Sequence, residues 1–198
     1  MKAPLNQPSQ EAITNTLLSL TIEPLALPAD DRITTVIDTL NSKYANGGFI
    51  FKQFKISGDA SFDCLLEYNR LYKTDFINHI VGSKAFQTAL PQLVDIKRVR
   101  VLERSWYNQD LFNLPGDIAK HIFYGGAYSG RHFSAEHSYT MATAFVKAFT
   151  GHRFSDFTCW HTETGWSGWF HNIAWDSSVF IFDSINKILT VLCLTDSD

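Results

Sequence analysis

Apolar positions along this chain change period several times, and each change marks an element. The strongest signal lies in the last fifth, Trp160 to Asp198. There Val179-Phe-Ile-Phe182 and Lys187-Ile-Leu-Thr-Val-Leu-Cys-Leu194 are runs of β-branched and aromatic residues separated by Asp183-Ser-Ile-Asn186. This reads as a hairpin with a connection of about four residues. A strand with one wet face alternates apolar and polar positions, and these two do not, so the hairpin is expected inside a sheet covered on both faces. Upstream, 154–161 and 168–175 read as two more strands joined around Thr164-Gly165, completing a four-stranded C-terminal meander.

Helical spacing dominates elsewhere. Across 134–149, Ser134 is a natural cap, Glu136 and Lys147 suit the two ends of the helix dipole, and Gly151 is the stop. Ala135, Ala142, Phe145, Val146 and Phe149 form a stripe that should lie across the C-terminal sheet. Asp30 or Asp31 caps a helix whose Ile33, Val36, Ile37, Leu40 and Tyr44 share a face, ended by Gly47-Gly48. A strand over 48–56 follows. Residues 11–20 read as a short helix stopped by a loop containing Pro24 and Pro28, 61–72, 74–82 and 83–90 as helical segments, and 94–106 as a strand. Residues 107–130 read mainly as loop, with a short helix over 115–123 that Pro115 can start. Met1 to Gln10, with two prolines, reads as a flexible lead-in. The expected fold is α+β, one domain over 1–198, helices mainly N-terminal and strands mainly C-terminal.

Composition changes this picture in two ways. Aromatics reach 14% of the 198 residues and charged residues only 19%, so an aromatic core, an aromatic contact surface or both must absorb 16 Phe and 5 Trp. A net charge of −3 argues against a general nucleic-acid binder. One basic cluster does exist, Lys97, Arg98, Arg100 and Arg104 in the 94–106 strand. It offers phosphate contacts or, more plainly, charges that keep an edge strand from pairing with a second sheet. The three cysteines, Cys64, Cys159 and Cys193, lie far apart and outside CxxC spacing, as expected of reduced thiols in a cytoplasmic protein. MKAPLNQPSQEA lacks the apolar stretch of a secretory signal, and no run approaches the ~18 apolar residues that span a bilayer.

Candidate chemistry is sparse. Strand alternation puts Cys159, His161 and Glu163 on one face, a set able to supply a thiol nucleophile with its base or zinc ligands. Side chains two apart on a strand sit almost 7 Å apart at the backbone, which favours the plainer reading of a buried thiol near a hydrogen-bonded histidine. His132 and His137 straddle a helix start but, five apart, do not share a helical face as HExxH histidines do. Gly125-Gly126-Ala127-Tyr128-Ser129-Gly130 is glycine-rich, yet no Lys-Ser/Thr follows it, so a flexible connection or lid is the better reading than a phosphate loop. No cofactor is expected. Alternation makes Trp169 and Trp175 core residues on one strand face with His171 and Ile173. Trp166, beside Gly165 in a predicted turn, is the natural exposed anchor for a protein partner.

The segment from Trp169 to Asp198, an aromatic strand ending in WD, then a VFIFD hairpin, then LCLTDSD, resembles the ending of small bacterial proteins that serve as immunity partners of polymorphic or secretion-system toxins. The resemblance implies a non-enzymatic cytoplasmic protein that binds and neutralises a cognate toxin. Its expected contact residues are Trp166, Trp106, Tyr128, Asp196 and Asp198. Acidic groups at the C-terminus would meet a basic toxin surface, unless they are simply solvated. A homodimer would use the same kind of surface. The alternative class is a small hydrolase or metal-dependent enzyme built on Cys159, His161 and Glu163.

Overall fold

The computed structural model describes residues 9–95, 106–130 and 132–198. Its elements run α1 (Gln10–Leu18), β1 (Thr21–Pro24), α2 (Asp31–Lys43), β2 (Gly48–Ser57), α3 (Ala60–Glu67), α4 (Phe76–Gly82), α5 (Lys84–Ala89), β3 (Tyr107–Gln109), α6 (Leu114–Tyr124), α7 (Ala135–Thr150), β4 (Phe157–Thr162), β5 (Ser177–Asp183) and β6 (Ile188–Thr195). The strands form one sheet in the order β1-β2-β6-β5-β4-β3. Every pairing is antiparallel, so the fold is α+β.

The expected hairpin is β5–β6, with Asp183 opposite Ile188. Its turn forms because the Asp183 carboxylate accepts from the Ile185 and Asn186 amides, both at 3.0 Å. Arg153 Nη2 anchors the same carboxylate at 2.6 Å. Burial pushes the Asp183 carboxyl up, but the Arg153 guanidinium and the Asn186 donors outweigh it and hold it below the usual range. The period of two then sends Val179, Ile181, Leu192 and Leu194 to one face and Phe180, Phe182, Leu189, Val191 and Cys193 to the other. Helices α2, α6 and α7 close the first face, and α1, α3, α4 and α5 the second. Phe145 of α7 meets Phe49 and Phe51 edge-on, while Phe76 and Phe86 pack on Phe182 and Phe180. Both faces are dry, which explains why neither hairpin strand alternates.

Helix boundaries follow their caps. Ser134 Oγ accepts from the His137 amide at 3.1 Å and Asp30 from Arg32 at 2.9 Å, opening α7 and α2 where a capping residue precedes the apolar stripe. Between α2 and β2 the chain runs against the end of β6. A Cβ on Gly47 would fall 2.3 Å from the Thr195 carbonyl oxygen, and Gly48 has φ +121°, so only glycine fits this turn.

Several expectations are corrected. The 168–175 segment is not a strand: β4 pairs directly with β5, and residues 163–176 form a loop between them. The buried Asp176 carboxylate accounts for this. Its oxygens accept from the amides of Asn172 at 2.6 Å and Ile173 at 3.3 Å, and from Thr195 Oγ1 at 2.5 Å. These amides gain a local acceptor and are lost to any ladder. Asn172 also takes φ +59°. Trp169 and Trp175 therefore do not share a face; they pack against opposite cores. Strand β1, expected as loop, pairs Thr21 to Pro24 with Ser57 to Phe54 at one sheet edge, and β3, also expected as loop, forms the other edge. Of the lead-in, 1–8 lies outside the described residues. So does 96–105, which carries Lys97, Arg98, Arg100 and Arg104 of the basic cluster.

Replacing Asp176 by alanine strands the amides of His171, Asn172 and Ile173 and the Thr195 hydroxyl without that acceptor in a buried setting. The expected loss is about 3 kcal/mol, read as a lower urea midpoint at unchanged slope. Asp198→Ala, at an exposed position, should stay within ~0.5 kcal/mol of the parent.

Candidate partner-binding face at the β3 edge

Strand β3 is three residues long, placing Tyr107 opposite His161 and Gln109 opposite Cys159. Among the described residues it pairs on one side only and forms an edge of the sheet. Directly after it Asp110 caps a 3-10 turn, Leu111–Asn113, by accepting from the Phe112 amide at 3.1 Å. That turn throws Phe112 outward while Leu111 and Leu114 enter the core and start α6. Phe112 stacks on Phe154 with ring centroids 5.0 Å apart.

Two clefts flank this edge. One, of about 560 Å³, is lined among others by Tyr107, Asp110, Asp117, Tyr139, His161 and Glu163. The second, of about 460 Å³, runs past Tyr72, Asn108, Phe112 and Phe154. Tyr107, Phe112 and Tyr139 are 49%, 70% and 57% exposed, large apolar area for a surface. Asp110, Asp117 and Glu163 belong to no ion pair among the described residues. Asp117 accepts from Gln109 Nε2 at 2.5 Å. The face is thus acidic and aromatic, with hydrogen-bonding groups left on a strand edge.

Behind it sits a chain of neutral polar groups. His161 Nδ1 is hydrogen-bonded to the Tyr107 hydroxyl, and Nε2 lies 3.1 Å from Ser177 Oγ. Burial lowers the His161 pKa against the pull of Asp117 and Glu163. Burial, then Glu163 and Asp117, raises that of Tyr107. Both groups are therefore uncharged at neutral pH, and the neutral ring bridges Tyr107 and Ser177 with one nitrogen donating and the other accepting. Cys159 is buried, its thiol pushed up to about 12 chiefly by burial and then by Asp117 and Asp110, so it stays protonated. Glu163 lies beyond the end of β4, exposed. Among the described residues no group of three or more His, Cys, Asp or Glu is placed to hold a metal ion. His132 and His137 are exposed, and His137 stacks on Phe133.

No family model matches the chain, and no curated relative matches it. Among solved structures, citrus MAF1 in one crystal form is similar at 13% identity with a TM-score of 0.45, over 85% of this chain and 99% of that one. A second crystal form of citrus MAF1 gives 9% and 0.44, over 82% and 96%. A likeness this slight carries no functional argument. Nor, among the described residues, is any helix long and apolar enough to cross a membrane.

The five residues expected at a contact surface are not brought together. Trp166, expected exposed, is fully buried: Phe86, Trp106, Phe170 and Phe180 surround its ring, and Nε1 donates to Ser178 Oγ at 2.9 Å. Trp106 is half-buried in the same cluster, edge-on to Phe180 at 4.9 Å. Asp196, expected in solvent, is 1% exposed and accepts from the amides of Asn46 at 3.0 Å and Ala127 at 2.7 Å. Tyr128 and Asp198 are exposed, as a contact role requires. The residues that do form a face, Tyr107, Phe112, Asp110, Asp117 and Tyr139, were missed because a three-residue strand leaves no periodicity to read. Asp110 two residues before exposed Phe112 was the available signal, an Asx cap ahead of Pro115.

His121 of α6 lies beside this network, with Nδ1 2.9 Å from the Tyr44 hydroxyl. Burial, helped by Lys120 and His161, lowers its pKa from 6.5 to about 4. Below pH 6.5 the unfolded chain takes up this proton first, so stability is full above 6.5 and is lost as pH falls toward 4. The loss should be on the order of 3 kcal/mol by pH 4, with His161 adding to it. In His121→Gln the stability curve over that window should flatten, as measured by urea midpoints across it.

Proposed function

We propose that this protein is a non-enzymatic binding protein that captures a basic protein partner on the β3 edge, and that the partner is a cognate toxin neutralised by tight complex formation in the bacterial cytoplasm. One observation carries the binding reading: Tyr107, Phe112 and Tyr139 stand exposed around Asp110, Asp117 and Glu163, carboxylates without a cationic partner among the described residues. Aromatic side chains supply most of the affinity at such interfaces, and unpaired carboxylates attract and orient a basic surface. The edge of β3, unpaired among the described residues, adds backbone donors and acceptors for strand addition. The toxin assignment rests on the resemblance of the C-terminal segment alone.

The enzyme reading has less support. The Cys159 thiol is protonated, and the two ring nitrogens of His161 are engaged by Tyr107 and Ser177.

The test is affinity capture of the tagged protein from its host, followed by co-expression. A single stoichiometric partner is expected, toxic when expressed alone and silent in the complex. Phe112→Ala and Tyr107→Ala should each weaken the complex at least tenfold, about 1.4 kcal/mol. Glu163→Lys should slow association, and added salt should do the same. Tyr128→Ala should leave affinity unchanged. Unaltered binding by the β3-edge variants would overturn the assignment of this face, and turnover abolished by His161→Gln would replace the binding reading with an enzymatic one.

A further inference from the structure

Lys43, the last residue of α2, is 4% exposed. Its Nζ donates to the Gly130 carbonyl at 3.1 Å and lies 5.7 Å from the centre of the Phe133 ring. The ammonium group has three donors, and these contacts use one hydrogen bond and one ring face. No carboxylate among the described residues pairs with it. Burial accordingly lowers its pKa, with no opposing contribution from an acid. A helix C-terminus favours a cation only weakly, whereas an ammonium ion drawn partly out of water without a counter-charge is destabilised.

The walls around Lys43 are built to the same charge preference. A cleft of about 420 Å³ is lined by Thr39, Ser42, Tyr128, Ser129, His132 and Phe133 together with Lys43, and among the described residues no Asp or Glu lines it. Ser129 Oγ is buried and has no hydrogen-bond partner among the described residues. Its position depends on glycine: a Cβ at Gly125, φ +70°, would fall 1.6 Å from Ser129 Oγ. Asp196, the nearby buried acid, is behind the 125–130 loop; its oxygens accept from the Asn46 and Ala127 amides, and a Cβ on Gly126 would strike it at 2.0 Å. The glycines thus let the loop fold tightly between a carboxylate that is already satisfied and a lysine that is not.

We infer that the cleft under the 125–130 loop binds a small oxyanion of the phosphate class, held by Lys43 Nζ and Ser129 Oγ with His132 at the rim. The charge of the ligand replaces the missing counter-ion, and its oxygens accept the donors that the protein leaves open. The ring of Phe133 and the exposed Tyr128 give an organic body attached to the phosphate an apolar surface to rest on.

The test is thermal unfolding of the full chain in inorganic phosphate and in phenyl phosphate, against sodium chloride of matched ionic strength. Phosphate should raise Tm by about 5 °C at saturating concentration, the response of a domain this size to a ligand well above its Kd. A larger rise with phenyl phosphate assigns the site to phosphate monoesters, and an equal rise assigns it to the free anion. Lys43→Met keeps the aliphatic stem and removes the uncompensated charge, so it should melt no lower than the parent in chloride yet lose the phosphate shift. Ser129→Ala should retain the fold and reduce the shift by more than half. No rise beyond chloride in the parent, or an undiminished rise in Lys43→Met, would overturn the inference.

Discussion

Strand β6 is the last element of the chain and sits in the interior of the sheet, paired with β2 over eight residues and with β5 over seven. The rest of the molecule depends on this placement. Through Leu189, Val191 and Cys193 the strand enters the core under α1, α3, α4 and α5, and through Leu192 and Leu194 the core under α2, α6 and α7. Neither helical layer has a floor without it. The contacts are also long-range, joining Phe49 to Leu194 across most of the chain, so loop-closure entropy must be met before they form. A strand so situated has no reason to alternate, and its unbroken apolar run reflects burial on two sides.

Once both cores are dry, the polar groups near the sheet ends become the organisers of the surface. Asp176, Asp183 and Asp196 are all buried, and all accept backbone amides from loops: 172–173, 185–186, and 46 with 127. Each converts an irregular segment into a fixed one by supplying an acceptor that water would otherwise provide. All three lie at or just beyond the ends of the hairpin strands, where backbone pairing stops and exposed amides accumulate. The acidic character of the C-terminal stretch is therefore spent inside the protein in large part, with Asp198 left in solvent.

What the sequence made legible follows the same division. Periodic segments with caps, α2 behind Asp30, α7 behind Ser134, and the β5–β6 pair, were readable to within a residue or two because local spacing decides them. The α+β class came with them. Strands β1 and β3, four and three residues long, were not readable, since their existence depends on an edge offered by β2 and β4 and not on any pattern of their own. Trp166 next to Gly165 looked like an exposed turn residue because glycine and tryptophan are read locally, while the cage of Phe86, Trp106, Phe170 and Phe180 comes from four separate parts of the chain. The β3 face inherits this difficulty: its aromatic and acidic members become neighbours only after β3 docks on β4.

The same reasoning separates the two polar clefts. The β3 cleft collects Asp110, Asp117 and Glu163, whereas the cleft at Lys43 has a cation and, among the described residues, no carboxylate in its walls. Between them run Tyr44, beside Lys43, then His121, bonded to Tyr44, and His161, bonded to Tyr107. Burial lowers the pKa of both histidines, and burial followed by Asp196 raises that of Tyr44, so at neutral pH this row carries no charge. A charged histidine here would offset the acidic face and repel the Lys43 ammonium. A neutral row leaves the carboxylates of the β3 cleft and the ammonium of the Lys43 cleft without a compensating charge between them, the condition that the proposed selection of a basic partner at one and of an anion at the other requires.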